Sequence, residues 1–224
     1  MDWRDVYCAW MYVDCEMKMK KLLFISYLLL TAHLSLMAQQ SEIQIRQKIS
    51  QVASSIKTMQ CDFIQTKHLK MLNDDMVSKG RMYYQQGNRL RWEYTSPYTY
   101  IFIINNDKVL LKNNQRNDVI DVNKSKLFKE IARMMMNSVV GSCLTDEKSF
   151  KSSISVSAGE WVTTLLPQRK DMKQMFQKIV LHFSQKQAMV TQVELIEKNG
   201  DATIIDLKHI RTNETISTDM FTIR

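Results

Sequence analysis

Apolar positions change their spacing several times along this chain. Residues 41–59, SEIQIRQKISQVASSIKTM, place Ile45, Ile49, Val52 and Ile56 at intervals of three and four. This predicts an amphipathic helix, with Ser41 as its cap and Glu42 in its first turn. From Cys61 the interval falls to two. CDFIQTKHL, VSKGRMYYQQ, RLRWEYT, TYIFII, KVLLKN and VIDV read as short strands, broken by Asp74-Asp75, Gln86-Gly87-Asn88, Ser96-Pro97, Asn105-Asn106-Asp107 and NNQRND. Short strands between such turns predict an antiparallel meander. Residues 124–141, KSKLFKEIARMMMNSVVG, return to helical spacing through Leu127, Phe128, Ile131, Met134, Met135 and Val139, and Gly141 suits the end. Strands resume with FKSSISVSA, WVTTLLP, KIVLHFS, VTQVELIEK, ATIIDLKHI and a final MFTIR. QRKDMKQ reads as a polar connection, and Asn199-Gly200 is the strongest hairpin signal. The pattern predicts about ten or eleven strands and two helical segments in one domain, the second helix being an insertion or a lid.

Within RLRWEYT, Leu90, Trp92 and Tyr94 share one side, and Arg89, Arg91 and Glu93 share the other. Tyr100 to Ile104 is apolar at every position, so both faces of the sheet must meet apolar partners there. A sheet of this many strands must curl or be covered. Trp92, Tyr94, Phe102, Trp161 and Phe183 are candidates for its inner face. Two helices are too few to tile that face. Either an apolar pocket is left beneath them, or the aromatics close into a solid core. Met is flexible and suits surfaces that repack around apolar guests. Met134, Met135 and Met136 in a row cannot all face one core, so some are expected to line an interface, a ligand or solvent. The plain alternative is ordinary core methionine in a chain that has 16.

The chain has 224 residues, 45% of them apolar, with only 5 Gly and 2 Pro, enough for a sizeable core. Its net charge of +8 points to an anionic partner, whether membrane surface, acidic protein or nucleic acid. The basic residues are spread out, without zinc-finger or helix-turn-helix spacing, which argues against nucleic acid. Lys18, Lys20 and Lys21 precede an apolar run from Leu22 to Ala38. That is the layout of a secretory signal peptide, although Leu36 makes the cleavage region imperfect and an uncleaved anchor is the alternative. Residues 1–16 fit neither signal nor domain, so the start is expected at Met17 or Met19. Residues 1–38 are therefore set apart, and 39–224 are read as a single domain. No Cys follows the apolar run, so no lipid anchor is expected. Cys61 and Cys143 either form a disulfide in an oxidising compartment or are buried thiols. His33, His68, His182 and His209 show no metal-ligand spacing. There is neither His-Glu-x-x-His nor Gly-x-Ser-x-Gly. The expectation is a binding protein, not an enzyme, with no metal and no cofactor.

These segments together resemble a known family. MQCDFIQTKHL, SKGRMYYQQGNRLRWEYTSPY, IINNDKVLL, WVTTLLPQ and the stretch from FQKIVLHFS to STDMFTI are similar, in order, to the LolA outer-membrane lipoprotein carrier proteins of Gram-negative bacteria. The likeness covers residues 41–224 and is most specific from Gly80 to Pro97. It implies a mainly β fold, a curled antiparallel sheet of about 11 strands forming an incomplete barrel, with helices as a lid over an apolar cavity. By resemblance, the cavity binds lipoprotein acyl chains through Leu90, Trp92, Tyr94, Phe102, Trp161 and Phe183, under a lid bearing Leu127, Phe128, Ile131, Met134 and Met135. The implied partners are acylated lipoproteins, an inner-membrane lipoprotein-releasing transporter and an outer-membrane acceptor, served by a periplasmic monomer without nucleotide. A related periplasmic lipid-binding or sensing module is the alternative. Two positions depart from the family. Its Arg-Pro pair matches Gln86-Gly87, which leaves Gln86 as an uncharged lid latch, and its aromatic after that turn matches Leu90.

Overall fold

The computed structural model describes residues 41–72, 74–124, 134–137, 140, 141, 144 and 146–223. Ile45–Arg224 forms one compact unit. Helix α1 (residues 41–55) ends earlier than its apolar spacing predicts. Thr58 and Met59 pair instead with Gln85 and Tyr84, and a residue in a ladder cannot also close a helical turn. Eleven strands follow among the described residues: β1 (Thr58–His68), β2 (Met76–Gln85), β3 (Arg89–Ser96), β4 (Tyr100–Asn105), β5 (Lys108–Asn113), β6 (Asn117–Asp121), β7 (Phe150–Ser157), β8 (Glu160–Pro167), β9 (Phe176–Ser184), β10 (Val190–Glu197) and β11 (Ala202–Thr212).

They form one sheet in the order β6-β5-β4-β3-β2-β1-β11-β10-β9-β8-β7. All pairings are antiparallel, and among the described residues β6 and β7 are free edges, so the barrel is incomplete. The one long connection joins β6 to β7, after which successive neighbours bring β11 beside β1, with Phe63 opposite Leu207. Turn chemistry sets the hairpins. Gly87 (φ 94°) and Asn88 (φ 61°) take the left-handed conformations that the β2–β3 turn requires.

Alternation assigns the two faces. Met82 lies opposite Trp92, Trp92 opposite Phe102 and Phe102 opposite Leu111. The same parity runs through Leu207, Val193, Leu181 and Leu165 on the other half, and all these residues join one apolar cluster. The outer face is mostly polar, except over β4 and β5. There Ile103, Leu110 and Phe221 form a second, smaller cluster, with Ile101 and Met220 at its border. This is why Tyr100–Ile104 is apolar throughout. Ile104 faces the main cluster, and Ile103 faces the end of the chain.

Two connections differ from the sequence-based expectation. QRKDMKQ contains a short helix, α2 (Lys170–Met175), which buries Met172. MFTIR is not a strand: Thr218–Phe221 makes a 3-10 turn that delivers Phe221 to the outer cluster. Of the predicted 124–141 helix, residues 134–137 and 140 are helical. Leu127, Phe128, Ile131 and Val139 lie outside the described residues. Cys61 is a buried free thiol, and Cys143 also lies outside the described residues.

Candidate functional site

The inner face of the sheet is the candidate. Leu90, Trp92, Trp161 and Phe183 are buried in its cluster, and Tyr94 and Phe102 pack against it partly buried. The ladders bring them together in cross-strand pairs, Trp92 with Phe102 and Trp161 with Phe183. The cluster draws on every strand, from Ile120 on β6 to Phe150 on β7.

Its centre is a residue that strand alternation alone did not single out. The Phe63 ring lies 4.3 Å from that of Trp92, and 5.2 Å from that of Tyr94 in an edge-on contact. Both contacts depend on Gly80, which lies opposite Phe63 on one side and Tyr94 on the other. A Cβ at Gly80 would stand 2.0 Å from the Glu93 carbonyl oxygen and 2.4 Å from the Phe63 ring. Only glycine lets the ring approach the backbone this closely. The signal was present in the sequence as a lone glycine inside a strand pattern.

Few polar atoms enter this face. Tyr94 Oη donates to Gln65 Oε1 at 2.9 Å. Burial first, and the neighbouring Tyr98 second, push its phenol up to about 12. Burial, followed by the nearby Asp62, likewise pushes the Cys61 thiol up to about 12. Thr163, opposite Leu181, is fully buried, and its hydroxyl has no hydrogen-bond partner.

Two segments cover the face. From α1, Ile49 is buried and Ile45 and Val52 pack beside it. The Arg46 guanidinium donates to the Ser152 hydroxyl at 2.8 Å and to its carbonyl at 3.0 Å. Lys48 Nζ stands 5.3 Å from the centroid of the Trp161 ring. The second segment brings Met134, which is buried, with Met135 and Met136 packed on the same cluster. Met134 is in the core, whereas Met135 and Met136 stay partly exposed while packing on it; successive helical residues point about 100° apart.

Gln86 is exposed, and its backbone N–H donates to the Lys57 carbonyl at 2.7 Å. A cavity of about 1020 Å³ opens between α1 and β7, lined by Arg46, Gln51, Leu144, Phe150, Lys151 and Gln168, without any of the six candidate residues. In this structure those six pack against one another and against their cover. Among the described residues no three His, Cys, Asp or Glu gather as a metal site. The histidines meet carboxylates elsewhere: His182 Nδ1 lies 3.1 Å from Glu160 and Nε2 lies 2.9 Å from Glu194, on the outer face.

Several solved structures are similar to this chain at low identity. The chain is similar to a LolA superfamily protein from Nitrosomonas europaea, with 8% identity and a TM-score of 0.44, covering 81% of this chain and 97% of that one. It is similar to an uncharacterized conserved protein from Thermus thermophilus, with 9% identity and a TM-score of 0.49, covering 80% and 92%. A third is the lipoprotein LppX of Mycobacterium tuberculosis, with 11% identity and a TM-score of 0.44, covering 80% and 100%. No curated protein matches the chain by sequence. The sequence does match the family described as outer membrane lipoprotein carrier protein LolA over residues 54–224, a span that holds all eleven strands, and the chain belongs to that family.

Proposed function

We propose that this chain is a periplasmic lipoprotein carrier. Residues 39–224 act as one binding domain that holds acyl chains against the inner face of the sheet. It receives them from an inner-membrane releasing transporter and delivers them to an outer-membrane acceptor, as a monomer and without catalysis. The observation that carries this reading is the apolar cluster that draws on all eleven strands and is covered by separate segments rather than by a second sheet.

Leu90, Trp92, Tyr94, Phe102, Trp161 and Phe183 would line the bound acyl chains, with Met134 and Met135 on the moving cover. Each buried methylene contributes about 0.8 kcal/mol, so acyl chains alone could exceed the affinity of any reversible complex. Cargo must displace α1 and the methionines from the same face, however, and their lost burial offsets the gain. That balance suits a shuttle, which must release what it binds. The lone Thr163 hydroxyl offers a hydrogen bond to an ester carbonyl that the packed state leaves unused.

The test is native mass spectrometry of residues 39–224 purified from a Gram-negative periplasm, with lipid extraction of the same sample. An acylated peptide or lipoprotein, one per chain, is the expected companion. Phospholipid or another lipid alone would instead make the chain a lipid-binding or sensing module of the same fold.

A further inference from the structure

One end of the sheet carries apolar side chains that none of the described residues covers. The β1–β2 connection extends beyond the last ladder pair, Lys67 opposite Met76. At its tip Met71 is 95% exposed and Leu72 56%, and at the start of β2 Met76 is 51% and Val77 49% exposed. Met76 and Val77 point to opposite faces of the strand, so both faces are bare here. Isolated exposed apolar residues are ordinary, but four within seven positions make a patch. Tyr98, in the β3–β4 turn at the same end, is also half exposed.

The protrusion is held in place. The Leu72 N–H donates to the Leu69 carbonyl at 2.9 Å, which closes a turn. His68 bonds to Asp75 across the base. The Lys70 N–H donates to Asp201 Oδ1 at 3.0 Å, which ties the tip to the β10–β11 turn. That turn is joined to α2 by Lys198 N–H to the Met175 carbonyl at 3.0 Å.

The charge left available around the patch is mainly basic. Asp74 is exposed at the tip and in no ion pair among the described residues, but Glu197 is engaged by Lys67, Asp171 by Arg169, Asp75 by His68 and Asp201 by Asn199. Lys70, Lys79, Lys170, Lys173 and Lys198 are exposed, and among the described residues none of them is in an ion pair. Bare apolar side chains on a fixed tip, with an interfacial tyrosine and unpaired lysines beside them, match a bilayer surface with anionic headgroups.

We infer that this end docks on an anionic phospholipid membrane, with Met71 and Leu72 inserted below the headgroups and the lysines on the phosphates. The inference does not rest on the carrier reading. It is tested by co-sedimentation of residues 39–224 with intact phosphatidylethanolamine–phosphatidylglycerol vesicles containing no lipoprotein. Partitioning should exceed that to phosphatidylcholine vesicles and should fall with added salt. The double variant Met71→Asp, Leu72→Asp should lose about tenfold or more, with its thermal unfolding and its capture of a fluorescent fatty acid unchanged. Val156→Asp, which alters an exposed apolar residue on edge strand β7, should partition like the parent. Replacing Lys170, Lys173 and Lys198 with Gln should flatten the salt dependence. Failure of the parent chain to bind any vesicle, or equal partitioning by the double variant, would overturn the proposal. So would a photo-crosslink from position 71 that captures only protein.

Discussion

The inner-face and outer-face apolar clusters of this sheet are treated in opposite ways. On the outer face, Ile103 and Leu110 are sealed by Phe221, and the sealing segment is bound through its backbone. Asn105 Nδ2 donates to the Phe221 carbonyl at 3.1 Å, the Thr58 hydroxyl to the Glu214 carbonyl at 2.6 Å, and the Asn213 N–H to the Thr58 carbonyl at 2.9 Å. On the inner face the cover is larger, but it lies on side chains, and its described polar ties come from Arg46 and Lys48. If the inner face is the binding surface proposed above, apolarity alone does not distinguish a permanent seal from a working surface, and the attachment of the cover would.

Substitutions on each side would break or sharpen that contrast. The largest expected effect pairs Trp92→Ala with Phe221→Ala. Each should cost about 3–5 kcal/mol in urea unfolding. Only Trp92→Ala should also reduce binding of a fluorescent acyl probe by the folded fraction; equal binding losses would erase the contrast. Gly80→Ala comes next, at about 3 kcal/mol, because the Phe63 ring must leave the backbone. Its near-ultraviolet circular dichroism should change as the Phe63–Trp92 contact is lost.

Arg46→Ala removes two charge-assisted hydrogen bonds to Ser152. It should cost about 1.5–3 kcal/mol and should speed acyl uptake. Cys61 reports on the same opening, since its buried thiol should react slowly with iodoacetamide in the parent and faster in this variant. The raised thiol also fixes a pH dependence. The unfolded chain loses this proton near the usual value of 9.0, whereas the folded chain holds it to about 12. The unfolded state thus binds fewer protons in that window, and stability from this group falls as pH rises through it. Urea midpoints in alkaline buffers, compared with Cys61→Ala, would measure the difference. The smallest effect is expected for Thr163→Val, which replaces an unpartnered buried hydroxyl. It should be neutral or stabilise by up to about 1 kcal/mol, while weakening diacylglycerol-type ligands more than free fatty acids.

Much of the inner face could be read in the sequence because strand alternation is a strict code. Leu90, Trp92 and Tyr94 declared their side in a single stretch, and the Gln86-Gly87-Asn88 turn fixed the register that carries this side to β2. The run Tyr100–Ile104 announced an apolar neighbour on each face without naming it. The neighbour was Phe221, more than a hundred residues away, in a segment whose own alternation imitates a strand. Helix α2 was hidden for the converse reason, since only Met172 in it is buried and one buried residue sets no period. Met134 to Met136 divide between the core and a partly exposed position, as three successive helical residues must. Phe63 and Gly80 matter as a pair across β1 and β2, and pairing is what a linear pattern lacks.

The free edges β6 and β7 are consecutive in the chain, and residues 122–149 run from one rim of the open sheet to the other. Met134 to Met136 therefore ride on a strap anchored at both ends. On the proposed carrier reading, methionines displaced by cargo would stay joined to the sheet through the chain, and re-covering the face would be a unimolecular event governed by an effective concentration. The protein would then carry its own competitor for the site that it empties.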